Sequence, residues 1–402
     1  MIRTAFALTI LSFLISSCSS RGEEYFIASY YFPDYHLDAR NVALHGDGWT
    51  EWELVKAARP RFPGHLQPNV PAWGYTDEAN PAQMEQKIKA AADHGIDAFL
   101  FDWYYYNDGP FLERGVEEGF LGARNNRRLK FGLMWANHDW INIHPVDSPI
   151  LLSDKGPELL YRGVVTPETW EKMTDYIIET YFKHPSYWLL DGSPYFSVYD
   201  LSNLVESFGG IEATADAIKR FQTKACDAGF KGLHMNAVVW GRTVLPSEQI
   251  VEREDMNAFL NELGFSSATS YVWIHHVRLD FPTHPYAEVL EKYFEYAVTF
   301  AESIDIPYYP NVTMGWDSSP RANQDDNFAN YGYPFMGTIN ENTPENFKKA
   351  LVRVRDYLDQ HPGAQNIFNI NCWNEWTEGS YLEPDTVNGM KYLQAIKEVF
   401  GD

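Results

Sequence analysis

Residues 366–378 read Asn-Ile-Phe-Asn-Ile-Asn-Cys-Trp-Asn-Glu-Trp-Thr-Glu. The stretch Asn366–Trp373 is a short β-prone run, and it stops on an aromatic residue followed by polar ones. Seven other runs behave the same way: Tyr25–Phe32, Ile96–Trp103, Leu129–Trp135, Pro194–Tyr199, Lys231–Trp240, Ala268–Trp273 and Tyr308–Met314. Near-continuous apolar runs of this length are expected of parallel strands covered on both faces. Helix-like segments lie between many of them. Pro81–His94 carries apolar Met84, Ile88 and Ala91 at helical spacing, with Gly95 just past its end. Thr166–Phe182, Gly210–Gly229, Pro285–Ser303 and Pro344–Gln360 read similarly. Repeated β-then-α units predict an α/β fold, a (β/α)8 TIM-type barrel with extended βα loops. A doubly wound sheet is the main rival, and the G-x-G-x-x-G turn that would favour it does not follow the first strand.

The composition narrows the function. The chain has 402 residues, a formal charge of −23 and 16% aromatic residues. So many aromatics exclude disorder as the main state. The negative charge argues against nucleic acid as a partner, which needs clustered Lys and Arg. The three cysteines, Cys18, Cys226 and Cys372, form no disulfide framework and no CxxC zinc spacing. Residues 1–17 read as a signal peptide, with Arg3 before an apolar stretch from Ala5 to Ile15. Small residues ending at Cys18 predict lipidation there, a tether over residues 18–24, and one catalytic domain over residues 25–402. The expected location is the bacterial cell envelope, with a lipid anchor in the membrane.

A barrel places its chemistry just after the C-terminal ends of its strands. Those positions hold Asp102 and Trp103, then Asn137, His138 and Trp140, then Tyr199, Trp240, Trp273 and Trp316, and finally Trp373, Asn374, Glu375 and Glu378. Glu51 and Trp52 follow the first strand, with His65 further along the same loop. Rings beside carboxylates and amides are the chemistry of a sugar site: rings cover apolar sugar faces while carboxylates and amides bind hydroxyls. A glycan is the expected partner. Neither G-x-S-x-G nor a P-loop is present, and no cofactor is expected. His275, His276 and His284 fit no standard metal spacing, so no metal is expected either.

Glu375 and Glu378 are three residues apart. On a helical turn their Cβ atoms would lie about 5–6 Å apart on one face. Two carboxyls so close repel, which raises one pKa and separates an acid from a base. Ordinary glycosidases set their carboxyls on opposite sides of the scissile bond, roughly 5–10 Å apart, and draw them from different strands. A pair from one turn better suits a base on a sugar hydroxyl and an acid on the glycosidic oxygen.

The motif N-E-W-x-E-G at Asn374–Gly379, with Leu382-Glu383-Pro384 after it, resembles the WbsX-like glycan-processing family. It also resembles the related endo-α-mannosidases of glycoside hydrolase family ninety-nine. Gly48-Trp49-Thr50-Glu51-Trp52, Gly64-His65-Leu66-Gln67-Pro68, Gly95-Ile96-Asp97 and Trp135-Ala136-Asn137 fit the WbsX-like pattern as well. The resemblance implies a barrel acting on glycosidic bonds, with Glu375 as base toward a 2-hydroxyl and Glu378 as general acid. It also implies a 1,2-anhydro sugar intermediate. It brings Glu383 into the substrate-binding set. The pattern usually has Asn-Glu-Asn/Asp-Trp after strand three, and here Asn137-His138-Asp139-Trp140 stands there. Many WbsX-like proteins are labelled glycosyltransferases, so transfer in envelope glycan assembly is the alternative, with non-catalytic glycan binding behind it.

Overall fold

A computed structural model describes residues 25–250 and 253–401. The expected signal peptide, the expected lipidation at Cys18 and the expected tether lie outside the described residues. Eight strand runs form the centre: β1 (Phe26–Tyr31), β2 (Ala98–Tyr106), β3 (Lys130–Trp135), β4 (Ser193–Val198), β5 (His234–Val238), β6 (Ser267–Thr269), β7 and β8 (Ile367–Asn371). The β7 run has two pieces, Tyr308–Tyr309 and Asn311–Thr313, split at Pro310. Proline has no N–H to give to a ladder, so the strand is interrupted there. The first piece pairs with β6 and the second with β8. Neighbours pair in parallel all the way round, and β1 closes the ring against β8 with Phe26 opposite Ile367. The predicted barrel is the observed one.

The crossovers follow from local signals. Helix α1 (Pro81–Asp93) begins where the Asn80 side chain accepts from Ala82 N, with Pro81 in the first turn. Its Met84, Ile88 and Ala91 are fully buried against the barrel. Gly95 reverses the chain with φ 89° before β2. Helices α2 (Pro167–Ile177), α3 (Ile211–Asp227), α4 (Met256–Leu263), α5 (Tyr286–Glu302), α6 (Pro344–Gln360) and α7 (Lys391–Phe400) cover the remaining outer faces. The expected helix over Thr166–Phe182 is shorter than its apolar pattern. Thr166 caps it, and its last part, Ile178–Phe182, loosens into a π-turn. Among the described residues no helix is long and apolar enough to cross a membrane.

Candidate active site

The loop after β8 turns back at once. Asn374–Glu375 pairs antiparallel with Ser380–Tyr381, and a 3-10 turn over Trp376–Glu378 joins them. Gly379 ends the turn with φ 64°, and a Cβ there would meet Asp317 Cβ at 2.9 Å. Backbone conformation and space both require glycine. This tight loop brings Glu375 and Glu378 together at the barrel mouth, each only 4% exposed.

Arg321 answers them. It ends a 3-10 turn, Ser319–Arg321, in the long loop after β7. Its Nη1 donates to Glu378 Oε1 at 2.5 Å, and its Nη2 lies 3.7 Å from Glu375 Oε1. On its other side Nε and Nη2 donate to Glu51 Oε1 and Oε2, both at 3.2 Å. Tyr333 Oη also donates to Glu378 Oε1, at 2.7 Å. Burial opposes the Arg321 charge, but Glu51, Tyr333, Glu378 and Glu375 outweigh it and hold the guanidinium protonated. One cation therefore faces three buried carboxyls, and the site has too little positive charge to ionise them all.

Glu378 has the better share. Burial raises its pKa, while Arg321 and Tyr333 pull it back. Burial raises Glu375 well above the usual carboxylate range, and the Glu378 charge pushes it further. Of the two, Glu375 is lifted the further, so it holds a proton more tightly than Glu378 does. Burial, with Arg321 nearby, keeps His144 well below its ordinary pKa, and burial lowers His138 too. Both are neutral imidazoles, able to donate and accept.

The pair opens onto a cleft of about 640 Å³, part of it open to solvent. Of the residues expected at the site, Asp102, His138, Trp140, Tyr199, Trp316, Glu375 and Glu378 line it. Trp140 stacks on His144, which also lies 3.3 Å from Glu51. Ile141, Ile143, Val244 and Leu245 complete an aliphatic wall.

The structure corrects the placement of the others. Trp373 does not line the cleft, and neither does its neighbour Trp376. Their indole nitrogens donate to Glu383 at 3.0 and 2.9 Å, and Glu383 pairs with the buried Lys87 at 2.8 Å. Glu383 is buried in that cluster and does not line the cleft. Trp273 is fully buried between Tyr286 and Tyr293 and donates to Asn311 O. Trp103 points outward from the ring to Tyr105 and Tyr181, because alternate residues of a strand face opposite sides. Trp52 packs on Tyr35 and donates to Thr76 O. Asn374 bonds Phe32 N and O, tying the loop after β8 to the end of β1. Asn137 does the same to Asp200 N and O. His65 stacks on Phe62 and reaches Asp317 at 2.7 Å, so it anchors its loop. Trp240 leans on Tyr199 and His275 behind the cleft wall. Glu51 sits one shell back and braces Arg321.

Arg321, Tyr333, Tyr271, His144 and Glu248 were missed. Each is a single residue in a loop of no motif, and only the closed ring brings it to the cleft or to the carboxyls beside it. Tyr271 alone lay inside a predicted run, Ala268–Trp273. Among the described residues no group of three or more His, Cys, Asp or Glu could hold a metal ion. His275 and His276 have separate partners, Glu248 and Ser270.

Comparison with known proteins places this geometry. Residues 27–396 match the profile of a family described as glycosyltransferase WbsX. The protein WxcX of Xanthomonas campestris pv. campestris is 26% identical over 384 residues, covering 92% of this chain and 49% of WxcX. The chain thus spans about half the length of the curated relatives it matches. Among solved structures, a glycoside hydrolase-like protein superposes with a TM-score of 0.58 at 17% identity, covering 95% of each chain. An endo-α-mannosidase of family ninety-nine from Bacteroides thetaiotaomicron gives 0.53 at 11% identity, covering 92% of this chain and 95% of that one. At such identities the likeness is one of fold.

Proposed function

The chain belongs to the glycosyltransferase WbsX family, and on that premise we propose that it cleaves glycosidic bonds as a glycoside hydrolase. The observation that carries the reading is the Glu375–Glu378 pair: two buried carboxyls one turn apart, facing an aromatic-walled cleft. Glu375 is the base toward the sugar 2-hydroxyl and Glu378 the acid toward the glycosidic oxygen. For this division of labour Glu375 must be ionised and Glu378 protonated when the substrate is bound. The 2-hydroxyl, relieved of its proton, attacks the anomeric carbon while Glu378 protonates the leaving oxygen. A 1,2-anhydro sugar results. Glu378, now ionised and held by Arg321 and Tyr333, draws a proton from water, which opens the ring as Glu375 returns its proton to the 2-oxygen. Asp102, His138 and Trp140 line the path of the sugar.

The test is Glu375→Gln and Glu378→Gln against plant, algal, fungal and bacterial polysaccharides, with product analysis. Each variant should lose about 100-fold or more in kcat on whichever glycan the wild type cleaves. A substrate with an activated leaving group should restore the bond-cleavage step of Glu378→Gln and not that of Glu375→Gln, since only the acid becomes dispensable in that step. Wild-type turnover by both variants would sink the assignment. The family's description supports a second reading, glycosyl transfer in envelope glycan assembly. Donor-dependent chain extension without hydrolysis would favour it. The lipoprotein-like segment ending at Cys18 supports an envelope location, and loss of membrane association in Cys18→Ala tests that.

A further inference from the structure

Tyr271 presents a problem of proton counting. Its hydroxyl lies 2.8 Å from Asp102 Oδ2 and 2.9 Å from Glu375 Oε2. A phenol has one proton to donate, so it can serve only one of these oxygens. The second contact holds only if that carboxyl is itself protonated and donates to the phenol oxygen. Two carboxylates would leave a buried oxygen facing an oxygen, with its desolvation uncompensated. Asp102 Oδ1 is buried without a hydrogen-bond partner, a position that suits the carbonyl oxygen of a neutral acid better than a carboxylate.

The surroundings decide which carboxyl keeps the proton. Asp102, at the cleft end of β2, is faced by Tyr271, Glu378, Tyr30, Tyr104 and Cys372, all neutral or acidic. Glu375 is faced by Glu378, Asp102, Tyr271, Tyr35, Tyr104, Cys372 and the guanidinium of Arg321. Asp102 therefore has no counter-charge, while Glu375 has part of one. Burial accordingly raises Asp102 well above its ordinary value.

We propose that Asp102 is a neutral carboxylic acid at neutral pH and that Tyr271 relays a proton between it and Glu375. When the proton sits on Asp102, that acid donates to Tyr271 Oη, and the phenol donates to an ionised Glu375. In the exchange the Asp102 O–H bond breaks as its proton joins Tyr271 Oη, and the phenol proton moves to Glu375 Oε2. The reverse step restores the start, with no net charge moved and no other reactant. Asp102 and Tyr271 act through Glu375 and are positioning residues. The purpose of the relay rests on Glu375 being the base, whereas the protonation of Asp102 does not depend on that reading.

Infrared difference spectroscopy at neutral pH, on protein without substrate, compares the wild type with Asp102→Asn and Tyr271→Phe. The wild type should carry a protonated-carboxyl stretch that Asp102→Asn lacks. That stretch should shift in Tyr271→Phe, whose ring still packs on Tyr30 and Tyr199. An undiminished band in Asp102→Asn overturns the proposal. On a glycan that the wild type cleaves, Tyr271→Phe should lower kcat about tenfold or more with little change in KM. It should also move the acid limb of the pH profile upward, because the Glu375 carboxylate loses a donor. An unmoved acid limb overturns the relay. If the wild type cleaves nothing in the panel, the hydrolase reading fails, and the infrared result still decides the state of Asp102.

Discussion

At the scale of single residues, the same side-chain type performs opposite duties a few positions apart. Glu375 and Glu378 face a cleft, while Glu383 accepts from two indoles and pairs with a fully buried lysine. A buried pair adds little to stability when intact, but removing one partner strands the other charge. Glu383→Gln should therefore cost about 3–5 kcal/mol of unfolding free energy, read by urea denaturation, because Lys87 loses its counter-ion. A loss under about 1 kcal/mol, the scale of an exposed ion pair, would contradict this account. Glu383 follows the N-E-W-x-E-G motif so closely that the sequence groups it with the catalytic pair. Its direction is set by the turn at Gly379 and by Lys87 arriving from α1, neither of which a linear reading weighs.

At the scale of elements, the strands and helices were legible because their signals are local. Period-two and period-3.6 patterns, a cap such as Asn80 and a stop such as Gly95 act within a few residues. The end of the helix pattern at Phe182 was less legible, since a π-turn carries the same apolar face onward. Caps also tie elements to pH. Asp200 caps the helix Leu201–Phe208 by accepting from Asn203 N at 2.9 Å. Burial nevertheless pushes its pKa from 3.8 up to about 7. The folded state then binds the proton more tightly than the unfolded chain, so this contribution is fully present below 3.8 and is lost as pH rises toward about 7. Asp200→Asn keeps the capping oxygen and removes the titration. Between about pH 5 and about pH 8 the wild type should lose stability relative to the variant, by thermal or urea unfolding. Parallel curves for the two proteins would show that Asp200 is not the titrating group.

At the scale of the whole molecule, closure of the ring joins the first and last strands, with Phe26 opposite Ile367. That closure brings the loops after β1, β7 and β8 together, so Glu51, Arg321 and Glu378 meet although they are far apart in sequence. Strand number and order followed from counting runs, but which loops would share a cation did not. The overall charge of −23 sets how the molecule meets others. Long-range repulsion should keep it from heparin or nucleic acid at about 0.15 M salt, where only surfaces within about 8 Å still feel each other. Passage through a heparin column without retention checks this, and firm retention would reveal a basic face that the net charge hides.

The amino-acid sequence by itself determined the barrel, the order of its strands and the pair of glutamates at the last strand's end. Those features rest on local periodicity and on neighbours three residues apart. The tertiary structure alone decided which aromatic rings face the cleft, which acid is spent on a buried lysine, and how far burial lifts each carboxyl of the pair. Side-chain direction is set by the pleat of a closed ring, and the charge state of a carboxyl by burial together with every charge around it, so both are properties of the assembled fold.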